Sequence, residues 1–357
     1  MNIMNVSLAL LHDDEQYRDS FLHSFSEFYS QTEIYSFSNV SIMAEAVSQK
    51  PVDVLLVSEN IYNTQKDLFS SKKIRCKALV ILTKGRGINK IGNCPAVCQY
   101  QIIDKLYQEL VGIYAEHTDA LMNMTSKSGE TRVSTFISGA GGCGCSVSAA
   151  AYSVYLASGG NKVIYIDMSS LGMPELMFDG EGSYTLTDCF TAVLSSRNNL
   201  NVRLETYTRK DSSEVYYYSS CVNSMDWADI TFENKTDFLN CLISESGYDR
   251  IVVDLPCEWN ELAAFMYEKS EKFYIVSNGK TVSNAKSMKL IDTIFTYIRS
   301  KNADSSKLKA VYASYSDSSV KLQDNRIDEY TVLPKITRAI NRREMLEKLS
   351  LPDIWGR

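Results

Sequence analysis

The chain reads as two α/β domains in tandem, each a doubly wound parallel sheet covered by helices. Three observations predict this. Short apolar runs alternate with helical stretches over the first 120 or so residues. A polar segment, Ser126-Lys127-Ser128-Gly129-Glu130, interrupts the rhythm, which resumes at Val133. The length of 357 residues suits two domains with separate cores. The expected boundaries are a first domain at 1–122, a linker at 123–131 and a second domain at 132–357.

In the first domain, VSLALL (6–11) is a buried strand ending at His12, Asp13 and Asp14, and Tyr17, Phe21, Phe25 and Phe28 follow at helical spacing. Further strands fall at 33–37, 52–57, 78–82 and 96–100. A closing helix carries Ile103, Leu106, Leu110 and Ile113 on one face. The second domain opens with a strand at Val133–Ile137, a glycine-rich turn SGAGGCGCS (138–146), and a helix bearing Val147, Ala150, Ala151 and Val154. Gly159-Gly160 ends that helix. Later strands are VIYID (163–167), IVVDL (251–255), FYIVS (273–277) and LKAVY (308–312), with VYYYSS (215–220) near an edge. Met288, Ile291, Phe295 and Ile298 mark a core-facing helix.

Composition narrows the class. Hydrophobic content of 45% and charged content of 22% belong to a globular chain. The net charge of −6 argues against a nucleic-acid partner held by bulk electrostatics, although a local basic patch stays open. No stretch reaches the roughly 18 apolar residues of a membrane span. The N-terminus lacks a basic n-region, so its apolar run reads as a strand and the expected location is cytoplasmic. Nine scattered cysteines then read as reduced thiols. Cys94/Cys98 and Cys143/Cys145 are the close pairs, and His12, His23 and His117 lie far from both in sequence. A closed zinc or iron–sulfur site usually needs four N/S ligands, which this spacing does not supply.

The strand, glycine turn and helix N-terminus form an anion site, because unpaired N–H groups converge where the helix dipole is positive. Asp167 and Asp254 end two apolar strands, where a carboxylate faces the ligand crevice and can hold magnesium directly or through water. The plainer alternative is that both merely start turns. With all three elements in order, a nucleotide site is the favoured reading.

These motifs resemble the MinD/ParA branch of P-loop proteins, and the preceding receiver-like domain is similar to the TadZ/CpaE group of pilus-assembly proteins. The stretch YTVLPKITRAINRREML (330–346) resembles the family's segment near the base, which places Pro334 there. The family loop KGGxGK[ST] falls on Ala140, Gly141, Gly142, Cys143, Gly144, Cys145 and Ser146, flanked by Gly139 and Val147. Both family lysines are therefore replaced, by Ala140 and Cys145. The magnesium-ligating hydroxyl survives as Ser146, so the implied metal set is Ser146, Asp167 and Asp254. The family's second aspartate, near the attacking water, is Ser169 here. ATP or ADP with magnesium is the implied ligand, with weakened affinity and little hydrolysis. A relic loop that binds nothing is the bland alternative.

The first domain resembles a response-regulator receiver. Asp13 and Asp14 match the acidic pair, and Thr83 matches the hydroxyl of the fourth strand. Ser58 stands where the phospho-accepting aspartate belongs, and Gln99 or Tyr100 where the lysine belongs. Aspartyl phosphorylation is not possible without that nucleophile; Glu59 next to it points elsewhere.

The resemblance implies a homodimeric, nucleotide-bound scaffold that recruits a Flp (Tad) pilus or secretion assembly, including its secretion ATPase. It implies a place at a cell pole or on the inner membrane face through partners. Two rivals are an active positioning ATPase and a nucleotide-free signalling or docking protein. A helix at 336–349 with Arg338, Arg342 and Arg343 is expected to close the domain, a basic membrane-surface helix being the alternative, since Glu344 and Glu347 share its polar face.

Overall fold

The apolar runs become the strands of two separate sheets, one in each of two units, Met1–Met124 and Thr125–Arg357. The computed structural model describes residues 6–28, 32–70, 74–85, 87–117, 131–182, 184–195, 200–337 and 341–356. The expected linker segment 126–130 and Arg338 lie outside them.

The first unit runs β1 (Leu8–Leu11), α1 (Glu15–Phe28), β2 (Ile34–Phe37), α2 (Val40–Gln49), β3 (Val52–Ser58), α3 (Glu59–Thr64) and α4 (Lys66–Ser70). It continues with β4 (Cys76–Thr83), β5 (Lys90–Ile91), β6 (Cys94–Cys98) and α5 (Ile103–His117). The sheet order is β2-β1-β3-β4-β6-β5, parallel except for the β5–β6 hairpin. Every residue of β1 is buried, as a strand covered on both faces requires. Phe21 stacks on Phe25, with ring centroids 4.3 Å apart, and Phe25 meets Tyr107 of α5 edge-on. Asn39 starts α2 by accepting the Ser41 and Ile42 N–H groups. The strand expected at 96–100 lies instead at Cys94–Cys98. Apolar character alone would carry the strand to residue 100; the hairpin with Lys90–Ile91 pulls it two residues towards the N-terminus and makes the sheet six-stranded.

The second unit opens with β7 (Arg132–Ser138), α6 (Cys145–Ser158), β8 (Val163–Asp167), α7 (Leu186–Ser195), α8 (Leu200–Thr206), β9 (Arg209–Lys210) and β10 (Val215–Tyr217). Next come α9 (Ser224–Asp229), α10 (Phe232–Glu245), β11 (Arg250–Asp254), α11 (Glu261–Lys269), β12 (Lys272–Ser277) and α12 (Thr281–Lys301). It closes with β13 (Leu308–Tyr315), β14 (Asp328–Pro334), α13 (Arg342–Leu349) and α14 (Pro352–Trp355). The sheet order is β14-β13-β12-β7-β11-β8-β10-β9, parallel but for the short β9–β10 edge pair.

After β7 the chain crosses to β8 and β11 on one side, then to β12, β13 and β14 on the other. That reversal places the crevice at the C-terminal end of β7, where ligands of open α/β sheets bind. One face is covered by α7, α10, α11 and α12, and the other by α6, α13 and α14. Helix α6 buries Ser148, Ala149, Ala150, Ala151 and Ser153, small residues that let it lie close to the sheet. The closing helix begins at Arg342, because the Asn341 side chain accepts the Glu344 N–H and sets its N-terminus there. The expected 336–349 span is therefore too long at its start: Ile336 and Lys335 follow β14 outside any helix.

Candidate nucleotide site

The loop between β7 and α6 is shaped by what its glycines permit. A Cβ on Gly139 would lie 2.6 Å from the Lys286 backbone of α12, so only glycine fits that approach. Gly144 caps α6 at φ 94°, a left-handed conformation that glycine adopts without steric cost. It brings no side chain to the helix end, and the first turn carries no acidic residue. The first turn at Cys145, Ser146 and Val147 is thus left without a side-chain cap or a carboxylate, as an anion site requires. Gly141 and Gly142 are exposed and have open space above them. Ala140 and Cys143 face inward; the Cys143 thiol donates to the Val276 carbonyl at 3.5 Å. A Cβ on Gly144 would come within 2.9 Å of the Ala313 Cβ, so the end of β13 flanks the loop. Pro334 ends the neighbouring strand β14, opposite Tyr315, and is exposed there.

Asp167 and Asp254 end adjacent strands in direct register. Asp254 is only 3% exposed. The Tyr165 hydroxyl donates to its Oδ2 at 3.0 Å, while Oδ1 is buried without a well-formed hydrogen bond. The Ser146 hydroxyl and Cys145 thiol lie against the same carboxyl. Burial, with the Asp167 charge beside it, pushes Asp254 up to about 7. Burial also raises Asp167, against hydrogen bonds from Ser169, whose N–H donates at 3.1 Å and whose hydroxyl donates to the same oxygen. Both loop thiols are raised by burial, Cys145 well above its usual range, so neither is a thiolate nucleophile at neutral pH.

Two contributors, Tyr165 and Glu175, were not singled out in the sequence, and a third, Ser169, gains a role there. Tyr165, two residues before Asp167 on the same strand face, is the buried donor to Asp254. Ser169 takes a definite role as the clamp on Asp167. Glu175 lies beyond, accepting the Ser220 N–H at 2.8 Å and the Ser219 hydroxyl. Burial pushes Glu175 up, but these hydrogen bonds outweigh it and hold the carboxyl below its ordinary value. Period-two alternation points Tyr165 and Asp167 to one face, which was the available signal for the tyrosine. A separate cavity of about 550 Å³ lies at the start of α12, lined by Lys280, Thr281, Asn284 and Lys321 among others.

A magnesium–nucleotide fits this set. Among the described residues no three His, Cys, Asp or Glu form a metal cage. Magnesium usually takes one or two carboxylates, waters and substrate phosphates rather than an all-protein cage. Asp254 with its unpartnered Oδ1, Asp167 and the Ser146 hydroxyl are the groups that would hold it, and the open end of α6 would face the phosphates. The bound ion would neutralise phosphate charge. No lysine side chain belongs to the loop.

In the first unit the acidic pair divides its tasks. Asp14 accepts the Tyr17 N–H in the first turn of α1, while Asp13 Oδ2 accepts from the Asn60 side chain at 3.2 Å. Burial raises Asp13, yet hydrogen bonds from Asn60 and Ser58 outweigh it and hold the carboxyl below its ordinary value. Ser58 ends β3 and caps α3. Thr83 ends β4 fully buried, its hydroxyl donating to the Gly85 carbonyl at 2.8 Å. Gln99 follows β6 directly, is buried, and turns its Oε1 to His12 Nε2 at 3.3 Å; Tyr100 is exposed. His12 Nδ1 accepts the Asp14 N–H, so Nε2 carries the proton that goes to Gln99.

Residues 4–115 match the family described as "TadZ-like, receiver domain". The second unit is similar to a ParA family ATPase from Chlorobium tepidum TLS: 19% identity, TM-score 0.51, covering 62% of this chain and 92% of that one. The first unit thus belongs to the TadZ-like receiver family, and the chain as a whole is similar to the TadZ/CpaE group. It is also similar to the septum site-determining protein MinD complexed with Mg-ADP from Pyrococcus horikoshii OT3, at 18% identity and TM-score 0.47, over 61% of this chain and 86% of that one. The cell division ATPase MinD of Pyrococcus furiosus gives 20% identity and TM-score 0.47, over 61% and 89%. No curated protein matches the chain. In this chain a helix-capping serine ends β3, and the β7–α6 loop carries the methyl of Ala140 and the thiol of Cys145 but no ammonium group. Among the described residues no helix is long and apolar enough to cross a membrane.

Proposed function

We propose that the second unit binds ATP or ADP with magnesium and hydrolyses ATP slowly or not at all. Occupancy of this site tightens a homodimer that serves as a scaffold for a Tad-type pilus or secretion assembly. Its partners would include the secretion ATPase, and it would sit at the inner membrane face or a cell pole through them.

One observation carries the reading: the uncapped N-terminus of α6 opens beside the buried Oδ1 of Asp254, which has no well-formed hydrogen bond. Neither feature depends on a lysine. A charge-assisted hydrogen bond contributes about 1.5–3 kcal/mol, so one missing lysine contact weakens affinity by roughly one to two decades. Phosphoryl transfer suffers more, because it needs positive charge at the transferring group and a held water. Ala140, Cys145 and Ser169 supply neither.

The test is calorimetry of the full chain with millimolar magnesium–ADP and magnesium–ATP, beside a phosphate-release assay. Heat that disappears in Gly141→Glu, with release at background, is expected. No heat with either nucleotide refutes binding, and robust release abolished by Asp254→Ala refutes the scaffold reading.

A further inference from the structure

The opposite edge of the second sheet gathers positive charge. Arg132 and Arg250 begin adjacent strands β7 and β11 and stand in direct register. Like charges placed opposite one another on neighbouring strands repel unless something pairs with them. Lys272, which begins β12 on the other side of β7, joins them around a cavity of about 260 Å³. Glu271 is the carboxylate in this lining, and it approaches Arg132 at 3.7 Å. The other two cations keep spare donors. Arg250 donates to the Asp249 carbonyl at 3.3 Å, and Lys272 Nζ lies 3.4 Å from the Tyr330 hydroxyl.

The remaining walls are aromatic and partly polar. Trp355 and Tyr152 are buried, and Tyr155 and Tyr330 are half-buried. Beneath them Tyr274 is wholly buried, its hydroxyl against those of Tyr152 and Tyr330 without a well-formed hydrogen bond. Two guanidinium forks, an ammonium and phenol hydroxyls form the donor set that suits a phosphoryl group. Pocket size limits what else the ligand carries: a small phosphate ester fits, whereas whole nucleotides and drug-sized ligands occupy pockets of about 300–1,000 Å³.

We propose that this N-terminal edge is a second anion site, specific for the phosphoryl group of a small ester. It is separate from the β7–α6 loop, which lies at the opposite ends of the strands. The group has two possible sources with the same chemistry, a soluble phosphate ester or a lipid headgroup.

Calorimetry of the full chain with sn-glycerol 3-phosphate tests the site, and flotation with vesicles of phosphatidylglycerol and phosphatidylcholine, against phosphatidylcholine alone, separates the sources. Gly141→Glu places a carboxylate at the mouth of the other loop, where there is open space for it. Binding of the ester or of the anionic vesicles is expected to persist in that variant and to weaken at least tenfold in Arg132→Gln/Arg250→Gln. Lys272→Gln gives a second reading should the double variant fail to fold. Ester binding identifies a soluble ligand, and flotation without it identifies a lipid. Absence of both, or binding lost in Gly141→Glu and kept in the arginine and lysine variants, overturns the proposal.

Discussion

Replacing Asp254 by asparagine should stabilise the empty second unit in mildly alkaline solution while removing its magnesium-dependent ligand binding. In the folded chain burial, with Asp167 beside it, lifts Asp254 from an ordinary 3.8 to about 7. Between those values the folded state holds a proton that the unfolded state has released. Stability from this group is therefore full below about pH 4 and is lost as pH rises through 7. At about 1.4 kcal/mol for each pH unit, the ceiling is near 4 kcal/mol; sharing of the proton with Asp167 makes roughly 2–4 kcal/mol the expected range. Asparagine keeps the shape, still accepts from Tyr165 and cannot ionise. Urea unfolding followed by tryptophan fluorescence isolates the effect, because Trp227, Trp259 and Trp355 all belong to the second unit. With a slope of about 2 kcal/mol per molar urea, the variant's midpoint should exceed the parent's by about 1–2 M at pH 8.5 and match it near pH 4. A variant less stable than the parent at pH 8.5 would refute the assignment of a strained, ionised carboxylate there.

Cys145→Lys should tighten magnesium–ADP about ten- to a hundredfold by calorimetry, before any hydrolysis appears. Gly139→Ala forces a Cβ against the Lys286 backbone and should lower the second unit's unfolding free energy by about 1–3 kcal/mol in the same urea assay. Acetyl phosphate should leave the mass and NMR spectrum of the first unit unchanged, because Ser58 cannot form an acyl phosphate; a stoichiometric phosphate mapped to Asp13, Asp14 or Glu59 would contradict this. Sedimentation with and without magnesium–ATP should show a dimer tightened by about 1 kcal/mol, the low end of usual coupling.

The alternation of apolar runs and helical spacing made the central strands of both sheets legible, because buried parallel strands are continuous apolar runs, but not the edge strands β9 and β14. The β5–β6 hairpin was not, since Lys90 and Ile91 form a two-residue strand with no period to detect. The start of α13 was misplaced for a related reason: apolar spacing continues upstream, but the Asn341 cap decides where the helix begins. At the candidate site, the glycines, Ser146, Asp167 and Asp254 stand out in the sequence because their types and order suit a phosphate and a metal ion, and the structure brings the carboxylates and Ser146 together. Tyr165 was not, because a tyrosine within an apolar strand looks the same whether its hydroxyl meets a carboxylate or water. Nor does sequence reveal the meeting of Arg132 with Arg250, which are far apart in the chain and joined only by strand register.

The two units share a physical signature where charge has been replaced. In the first, Gln99, which with Tyr100 is a candidate for the expected lysine position, turns its oxygen to His12 and leaves a buried Nε2 without a partner. In the second, Cys145 stands at the lysine position and Asp254 keeps a buried Oδ1 without a well-formed one. Each such group costs about 1–3 kcal/mol while unsatisfied. The two cases differ in what can relieve the cost. An uncharged amide donor needs only a water or a carbonyl, so nothing at Gln99 calls for an ion. A buried carboxylate next to a second carboxylate is relieved by a proton or by a cation. Below neutrality the proton is favoured; above it, the proposed magnesium would relieve the charge and would carry phosphates with it. The β7–α6 site thus has a physical reason to take up the proposed magnesium–nucleotide although its loop holds no lysine.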